Sequence, residues 1–193
     1  MAHSKSNTLK VEFKGFRNPR TQKQTGSFLV STRDKDGSLI DTQTIFNFFV
    51  TMTDLATLTD MSVTASNVTN GAYNPYLVTF VSPVGLTNGD KIEITFDSNI
   101  KPVPISGGAS GTVSCSGASQ LSSMTCNYLS NKLTISLTSG VNGASGTYSF
   151  NIANVTNPPS TRLYKVVQTA VFIDSSGNQF MQLPATKFVM LQT

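Results

Sequence analysis

The sequence has no tryptophan, one histidine, two cysteines and only ten carboxylates in 193 residues. Each shortage removes a class of chemistry. A Ser-His-Asp triad would have to use His3, which lies in the polar start Met1-Ala2-His3-Ser4, read as an expression leader. Two isolated cysteines with no nearby histidine or acid make poor zinc ligands. The glycine-rich run Ser106-Gly107-Gly108-Ala109-Ser110-Gly111 precedes a strand rather than a helix, so it is a surface loop and not a phosphate cradle. No apolar run approaches the ~18 residues of a membrane span, and the polar, basic first 25 residues are unlike a signal peptide. Charged residues make up 12%, about half the usual share. No enzyme, metal or cofactor is expected.

What the chain has in excess is hydroxyl groups: 24 Ser and 25 Thr. Short runs of Thr, Val, Ile and Phe are punctuated by Gly, Pro, Asn and Ser every 8 to 15 residues, the spacing of an all-β sandwich or barrel. Leu9, Val11 and Phe13 alternate with Lys10, Glu12 and Lys14, the period of a half-buried strand. Phe28 to Thr32, Leu77 to Val81, Ile92 to Phe96, Leu133 to Leu137, Tyr148 to Ile152 and Val166 to Ile173 read as further strands. The solid apolar run Ile45 to Val50 suits a strand buried on both faces. Asp36-Gly37, Asn70-Gly71, Asn88-Gly89, Asn142-Gly143 and Ser176-Gly177 supply tight turns. Thr53 to Thr59 is a weak helical candidate that reads better as a turn or linker.

The sequence also matches itself at an offset of 139 to 140 residues. Leu9, Val11, Phe13 and Phe16 correspond to Tyr148, Phe150, Ile152 and Val155, and Asn18-Pro19 to Asn157-Pro158. After a one-residue shift, Asp34-Lys35-Asp36-Gly37 corresponds to Asp174-Ser175-Ser176-Gly177, and Phe48-Phe49-Val50 to Phe188-Val189-Met190. Residues 5–53 therefore read as the closing strands of a preceding repeat, and 54–193 as a full β-sandwich module. An orphan set of two or three strands is marginal alone. It must pack on the full module, pair with a neighbour, or belong to a permuted unit.

The run Leu86-Thr87-Asn88-Gly89-Asp90-Lys91-Ile92-Glu93-Ile94-Thr95-Phe96 resembles the L-x-x-G-D-x-I-x-I-T-F strand of repetitive extracellular β-modules. Gly146-Thr147-Tyr148-Ser149-Phe150-Asn151-Ile152, continuing to Val155-Thr156-Asn157-Pro158-Pro159-Ser160-Thr161, is similar to the same modules' G-x-Y-x-F-x-I-x-x-x-x-N-P-x-S-T segment. Such modules occur in very large, cysteine-bearing surface proteins of ciliates, and related patterns occur in prokaryotic surface proteins. The resemblance covers residues ~61 to 180, with a partial copy at 9 to 41. It implies an Ig-like antiparallel sandwich, secretion and a spacer or adhesion role, and it transfers no catalytic residue.

Several residues are candidates for specific roles. Cys115 and Cys126 read as a disulfide across a hairpin, closing a short loop, with two buried thiols as the alternative. Asn67-Val68-Thr69 and Asn154-Val155-Thr156 are glycosylation sequons that matter in a secreted eukaryotic protein. Tyr73 and Tyr76 flank Asn74-Pro75 and could offer a sugar platform, although a tyrosine-rich turn packed on its own sandwich is commoner. The loops at 70–74, 106–111 and 116–124 are the contact segments that composition favours. Asp34, Asp36 and Asp41 fail the full calcium-loop pattern, since Thr32 and Gln43 would fill its first and last ligand positions. Asp90, Glu93 and Asp97 are conceivable paired acids, but Glu93 and Asp97 fall on an outer strand face. A Lys14–Asn151 isopeptide would need both groups buried with a protonated acid.

The whole net charge of +4 comes from residues 1–50, with eight basic against four acidic side chains. A basic arm can bind phosphate backbones, yet Lys10 and Lys14 lie on a strand's polar face. Arg17, Arg20 and Lys23 surround the Asn-Pro turn and read as a solvated edge that blocks aggregation. The expectation is an extracellular, cell-surface structural module without enzymatic activity. Its partners would be neighbouring repeats or other surface proteins. The alternatives are an adhesin or carbohydrate-binding module that takes glycans on its end loops, or a homo-polymeric fibre subunit built by strand addition. Nucleic acid is not expected.

Overall fold

A computed structural model describes residues 12, 14, 19–45, 54–141, 143–160, 165–186 and 189–192. Among these residues every regular element is a strand, as the punctuation by turn residues requires. β1 (Phe28–Arg33) and β2 (Leu39–Ile45) form a two-stranded sheet of their own. The expected strand at Leu9 to Phe13 and the run 46–50 lie outside the described residues.

The other thirteen strands form a β-sandwich that is antiparallel except for two parallel pairs. They are β3 (Ala56–Thr57), β4 (Asp60–Ala65), β5 (Tyr73–Ser82), β6 (Lys91–Phe96), β7 (Lys101–Pro102), β8 (Gly111–Val113) and β9 (Cys115–Ser119). Next come β10 (Ser123–Leu129), β11 (Lys132–Ser139), β12 (Gly146–Thr156), β13 (Lys165–Ile173), β14 (Gln179–Gln182) and β15 (Val189–Gln192). One sheet runs from β7 and β9 through β12 and β5 to β4. The other runs from β8 through β10, β11 and β6 to β13 and β14. β15 joins them, pairing antiparallel with β13 and parallel with β4. Of the segment 53–59, residues 54–59 are described, and they contribute the short β3, parallel to β14, rather than a helix or a simple turn.

The period-2 pattern directs the core. Ile92, Ile94 and Phe96 on β6, and Leu133, Ile135 and Leu137 on β11, are all buried, because alternate side chains of a strand share a face. On β12 a bulge between Ile152 and Val155 resets the alternation so that both face inward. Phe80 of β5 stacks on Tyr148 of β12 at 5.6 Å and meets Phe172 of β13 edge-on at 5.2 Å across the sheets. Each such side chain contributes ~2 kcal/mol or more on burial.

The chain changes sheet at Ser114. β8 pairs with β10, whereas β9 pairs with β12. Cys115 therefore sits in one sheet and Cys126 in the other, and their disulfide, with Cα atoms 6.1 Å apart, staples the two sheets. The expected Cys115–Cys126 disulfide is present, and the expected strand pairing is too, with Val113 of β8 opposite Cys126 of β10. What differs is that Cys115 itself has passed into the other sheet, opposite Ile152. The expected contact loop at 116–124 is likewise mostly strand, since Ser116, Gly117 and Ser119 pair with β12.

The self-match extends to backbone detail. In the β1–β2 hairpin the Asp34 amide donates to the Ser38 carbonyl, and in the β13–β14 hairpin Asp174 donates to Asn178, both at 2.9 Å. Asp34 Oδ1 accepts the amides of Asp36 and Ser38, and Asp174 Oδ1 accepts those of Ser176 and Asn178. Gly37 and Gly177 hold φ of 84° and 87°, a conformation that glycine adopts without strain. Both hairpins carry a bulge at the same place, between Thr32 and Arg33 and between Phe172 and Ile173. The core face differs. Ala170, Phe172, Phe180 and Met181 are buried, while their counterparts at an offset of 140 are Val30, Thr32, Ile40 and Asp41, all exposed.

Candidate contact surfaces at the two ends of the module

β5 and β12 fix the two ends of the sandwich: Ser82 pairs with Gly146 at one and Tyr73 with Thr156 at the other. The turn after β13 lies at the first end, since Ile173 pairs with Lys91. Gly89 of the β5–β6 loop approaches Ser175 of that turn there.

At this first end Arg20 enters a socket built by the β5–β6 loop. Its Nη1 donates to Asp90 Oδ2 at 2.8 Å and to the Gly85 carbonyl at 2.7 Å. Nη2 donates to Asp90 Oδ1 at 2.9 Å and to Thr87 Oγ1 at 3.2 Å. The guanidinium carbon lies 4.5 Å from the centre of the Phe180 ring, a cation–π distance. Asp90 is 1% exposed, and Thr87 also binds it through its amide at 2.8 Å and its hydroxyl at 3.2 Å. Gly85 can serve as an acceptor here because its backbone packs tightly on Gly143; a Cβ on it would lie 1.7 Å from the Gly143 carbonyl oxygen. Hydrogen bonding to Asp90 outweighs desolvation and raises the Arg20 pKa above its ordinary value, with further help from the charges of Asp90 and Asp174. Burial alone would raise the pKa of Asp174, but the amide and side chain of Asn178, the amide of Ser176 and the Arg20 charge hold it below the usual value.

Two sequence expectations change here. Arg20 is not part of a solvated edge, and Asp90 does not belong with Glu93 and Asp97. Glu93 pairs with Lys132 on the outer face at 3.0 Å, and Asp97 accepts from the Asn99 amide at 2.9 Å. The signal for Asp90 was local: in Thr87-Asn88-Gly89-Asp90 the last side chain can cap the first amide. Nothing in the sequence tied it to an arginine seventy residues earlier.

The far end is held by Asn157. Its Oδ1 accepts from Asn74 Nδ2 and Tyr76 Oη, both at 2.8 Å. Its Nδ2 donates to the carbonyls of Asn67 and Thr69, again at 2.8 Å. Asn74 and Tyr76 are buried, and only Tyr73 is exposed, at 69%. Alternation along β5 thus separates the three residues of the expected ligand loop, so no two-tyrosine platform is presented. Burial pushes the Tyr76 pKa up to about 12. Tyr73 instead lines an open groove of about 350 Å³ with Pro102, Pro104, Gly107, Tyr128 and Asn131.

Of the remaining candidates, Asn67 and Asn154 are both exposed, the geometry a glycan acceptor needs. Asn67 Oδ1 accepts from the Thr69 amide at 2.8 Å. The Lys14 side chain is 82% exposed and 3.8 Å from Glu12, so it does not meet the burial that an isopeptide with Asn151 requires. Among the described residues no helix is long and apolar enough to cross a membrane.

No protein-family model matches the sequence, and no curated protein matches it either. Among solved structures, a non-cellulosomal cohesin from the hyperthermophilic archaeon Archaeoglobus fulgidus is similar with a TM-score of 0.39 and 12% identity, over 69% of this chain and 91% of that one. The β-sandwich assignment rests on the strand pairing itself.

Proposed function

We propose that the chain is a stretch of a tandem-repeat extracellular surface protein, of the kind its sequence motifs resemble, in which β-sandwich modules serve as non-enzymatic spacers. The observation that carries this reading is the identity of the β1–β2 and β13–β14 turns, in hydrogen bonding, bulge and glycine conformation, 140 residues apart. On this reading residues 54–193 are a full module and residues 5–53 the tail of the one before. The inter-sheet disulfide supports an oxidising, extracellular setting.

Mechanical unfolding of the chain held in series between two handles tests the role. A spacer gives one cooperative unfolding step for the sandwich. Cys115 and Cys126 are 11 residues apart, so their disulfide hides roughly 40 Å of contour at about 3.6 Å per residue. Adding reductant lengthens the step by that amount. Gradual yielding without a step would sink the reading.

The groove around Tyr73 supports a second reading, an adhesin or carbohydrate-binding module. Saturable binding on a glycan array, lost in Tyr73→Ala, would move the assignment there. Strand exchange between identical chains is disfavoured, because Asp41 stands where Met181 is fully buried and would bring a carboxylate into the core.

A further inference from the structure

We propose that the Asp90 socket is an inter-module latch: a guanidinium site at the entry end of one module, filled by an arginine from the exit-end loop of the module before it. The chemistry selects arginine. Both terminal nitrogens bind one carboxylate oxygen each, each has a second acceptor, and the planar group lies on an aromatic face. A lysine ammonium cannot satisfy that fork or stack on the ring in the same way. The site is also built to be filled. Asp90 is 1% exposed, and an unpaired carboxylate at that depth is costly.

The placement makes it a joint. Arg20 follows Asn18-Pro19, whose counterpart Asn157-Pro158 lies at the end of the sandwich opposite the socket. A module whose exit loop carries an arginine packs end to end on a following module that carries the socket, a head-to-tail contact. The full module carries Pro159 where the tail carries Arg20, so the latch is a feature of this joint and not of every repeat. The guanidinium site stands on the contacts alone; only its place between modules rests on the repeat reading above.

Nuclear magnetic resonance on the whole chain tests both parts. Ethylguanidinium is titrated into Arg20→Ala while the Thr87 amide, which donates to Asp90, is followed. A saturable shift is expected in that variant, none in the native chain, where Arg20 fills the site, and none with ethylammonium. Arg20→Lys gives the same titration should the alanine variant not fold, and Arg20→Ala/Asp90→Asn abolishes it. Relaxation of the β1–β2 amides supplies the second readout: they tumble with the sandwich in the native chain and independently of it in Arg20→Ala. A missing or non-selective titration overturns the socket. A selective titration with unchanged hairpin tumbling overturns the latch. If residues 19–45 prove not to be the tail of a repeat, both readouts still appear, and only the place in an array is lost.

Discussion

Arg20 and Asp90, seventy residues apart in sequence, meet through two parallel hydrogen bonds of 2.8 and 2.9 Å, with the aspartate side chain 1% and the arginine side chain 30% exposed. A pair this unequal in exposure has unequal consequences when broken. Asp90→Ala removes the cap on Thr87 as well as the partner of Arg20, and is expected to cost ~3 kcal/mol. Arg20→Ala is expected to cost ~1–2 kcal/mol, because the cavity it leaves is open to water. In a double-mutant cycle by urea unfolding the two should couple by at least ~1 kcal/mol, with little dependence on salt, since screening is weak around a buried carboxylate. Strictly additive effects would mean the pair does not form in solution.

Asn157 makes four hydrogen bonds with its two side-chain atoms. Asn157→Ala leaves a buried amide, a buried hydroxyl and two carbonyls without that partner. The expected loss is ~3 kcal/mol, read as a lowered midpoint in thermal unfolding. Asn157→Asp keeps the acceptor but loses both donors and sets a charge against two carbonyls, so it should be no better. A loss below ~1 kcal/mol for either variant would show that this network does not hold the far end.

Tyr76 gives the module an alkaline limit. Its pKa is about 12 when folded and ~10 when unfolded. Below pH ~10 both states keep the proton and the contribution is complete. Between ~10 and ~12 the unfolded state releases it first, so stability falls as pH rises, by about 2 kcal/mol in total. Tyr76→Phe removes this slope while lowering stability at neutral pH through the lost bond to Asn157. The comparison of variant and native chain from pH 9 to 12 isolates it from lysine titration; parallel curves would exclude Tyr76 as the cause.

The disulfide constrains the unfolded chain over a short loop. For a loop of 11 residues the chain-entropy estimate is about 3 kcal/mol. Cys115→Ser/Cys126→Ser should lose that much under oxidising conditions and nothing further when reductant is added. The native chain should gain 2 Da on reduction, two hydrogens per bridge.

Much of this was legible in the sequence. Ile92, Ile94 and Phe96 announced their strand by alternation, and Asp174 and Gly177 their turn by residue type. Both signals are local, set by pleat geometry and backbone sterics. Arg20 with Asp90, and Asn157 with Asn74, were not legible, because polar pairs across 70 to 83 residues leave no periodic trace. The sheet assignment of Cys115 was missed for a related reason: Thr112-Val113-Ser114-Cys115 reads as one strand, and only the packing divides it at Ser114. The exposed hairpin was half legible: its turn matches that of β13–β14 in geometry, while Thr32 and Asp41 stand where Phe172 and Met181 are buried.

Ser130 and Asn131 supply the last prediction, because the β10–β11 hairpin, like the β9–β10 turn with Gln120, holds non-glycine residues at positive φ. Both residues take positive φ, 51° and 65°, and join strands whose last pair is Leu129 and Lys132. This is the two-residue turn that Asn-Gly fills best, yet neither position is glycine. Asn131 tolerates the left-handed region, whereas Ser130 is held there at a cost of ~1 kcal/mol. Ser130 is exposed, so relieving it disturbs no packing. Ser130→Gly should stabilise the module by up to ~1 kcal/mol, less the entropy that glycine adds to the unfolded chain. Ser130→Asn/Asn131→Gly should do at least as well, although it removes the Asn131 acceptor for Tyr128 Oη at 3.3 Å. A raised denaturation midpoint with an unchanged denaturant slope would support the assignment, and a lowered midpoint in both variants would mean that the Ser130 side chain has a use that outweighs its strain.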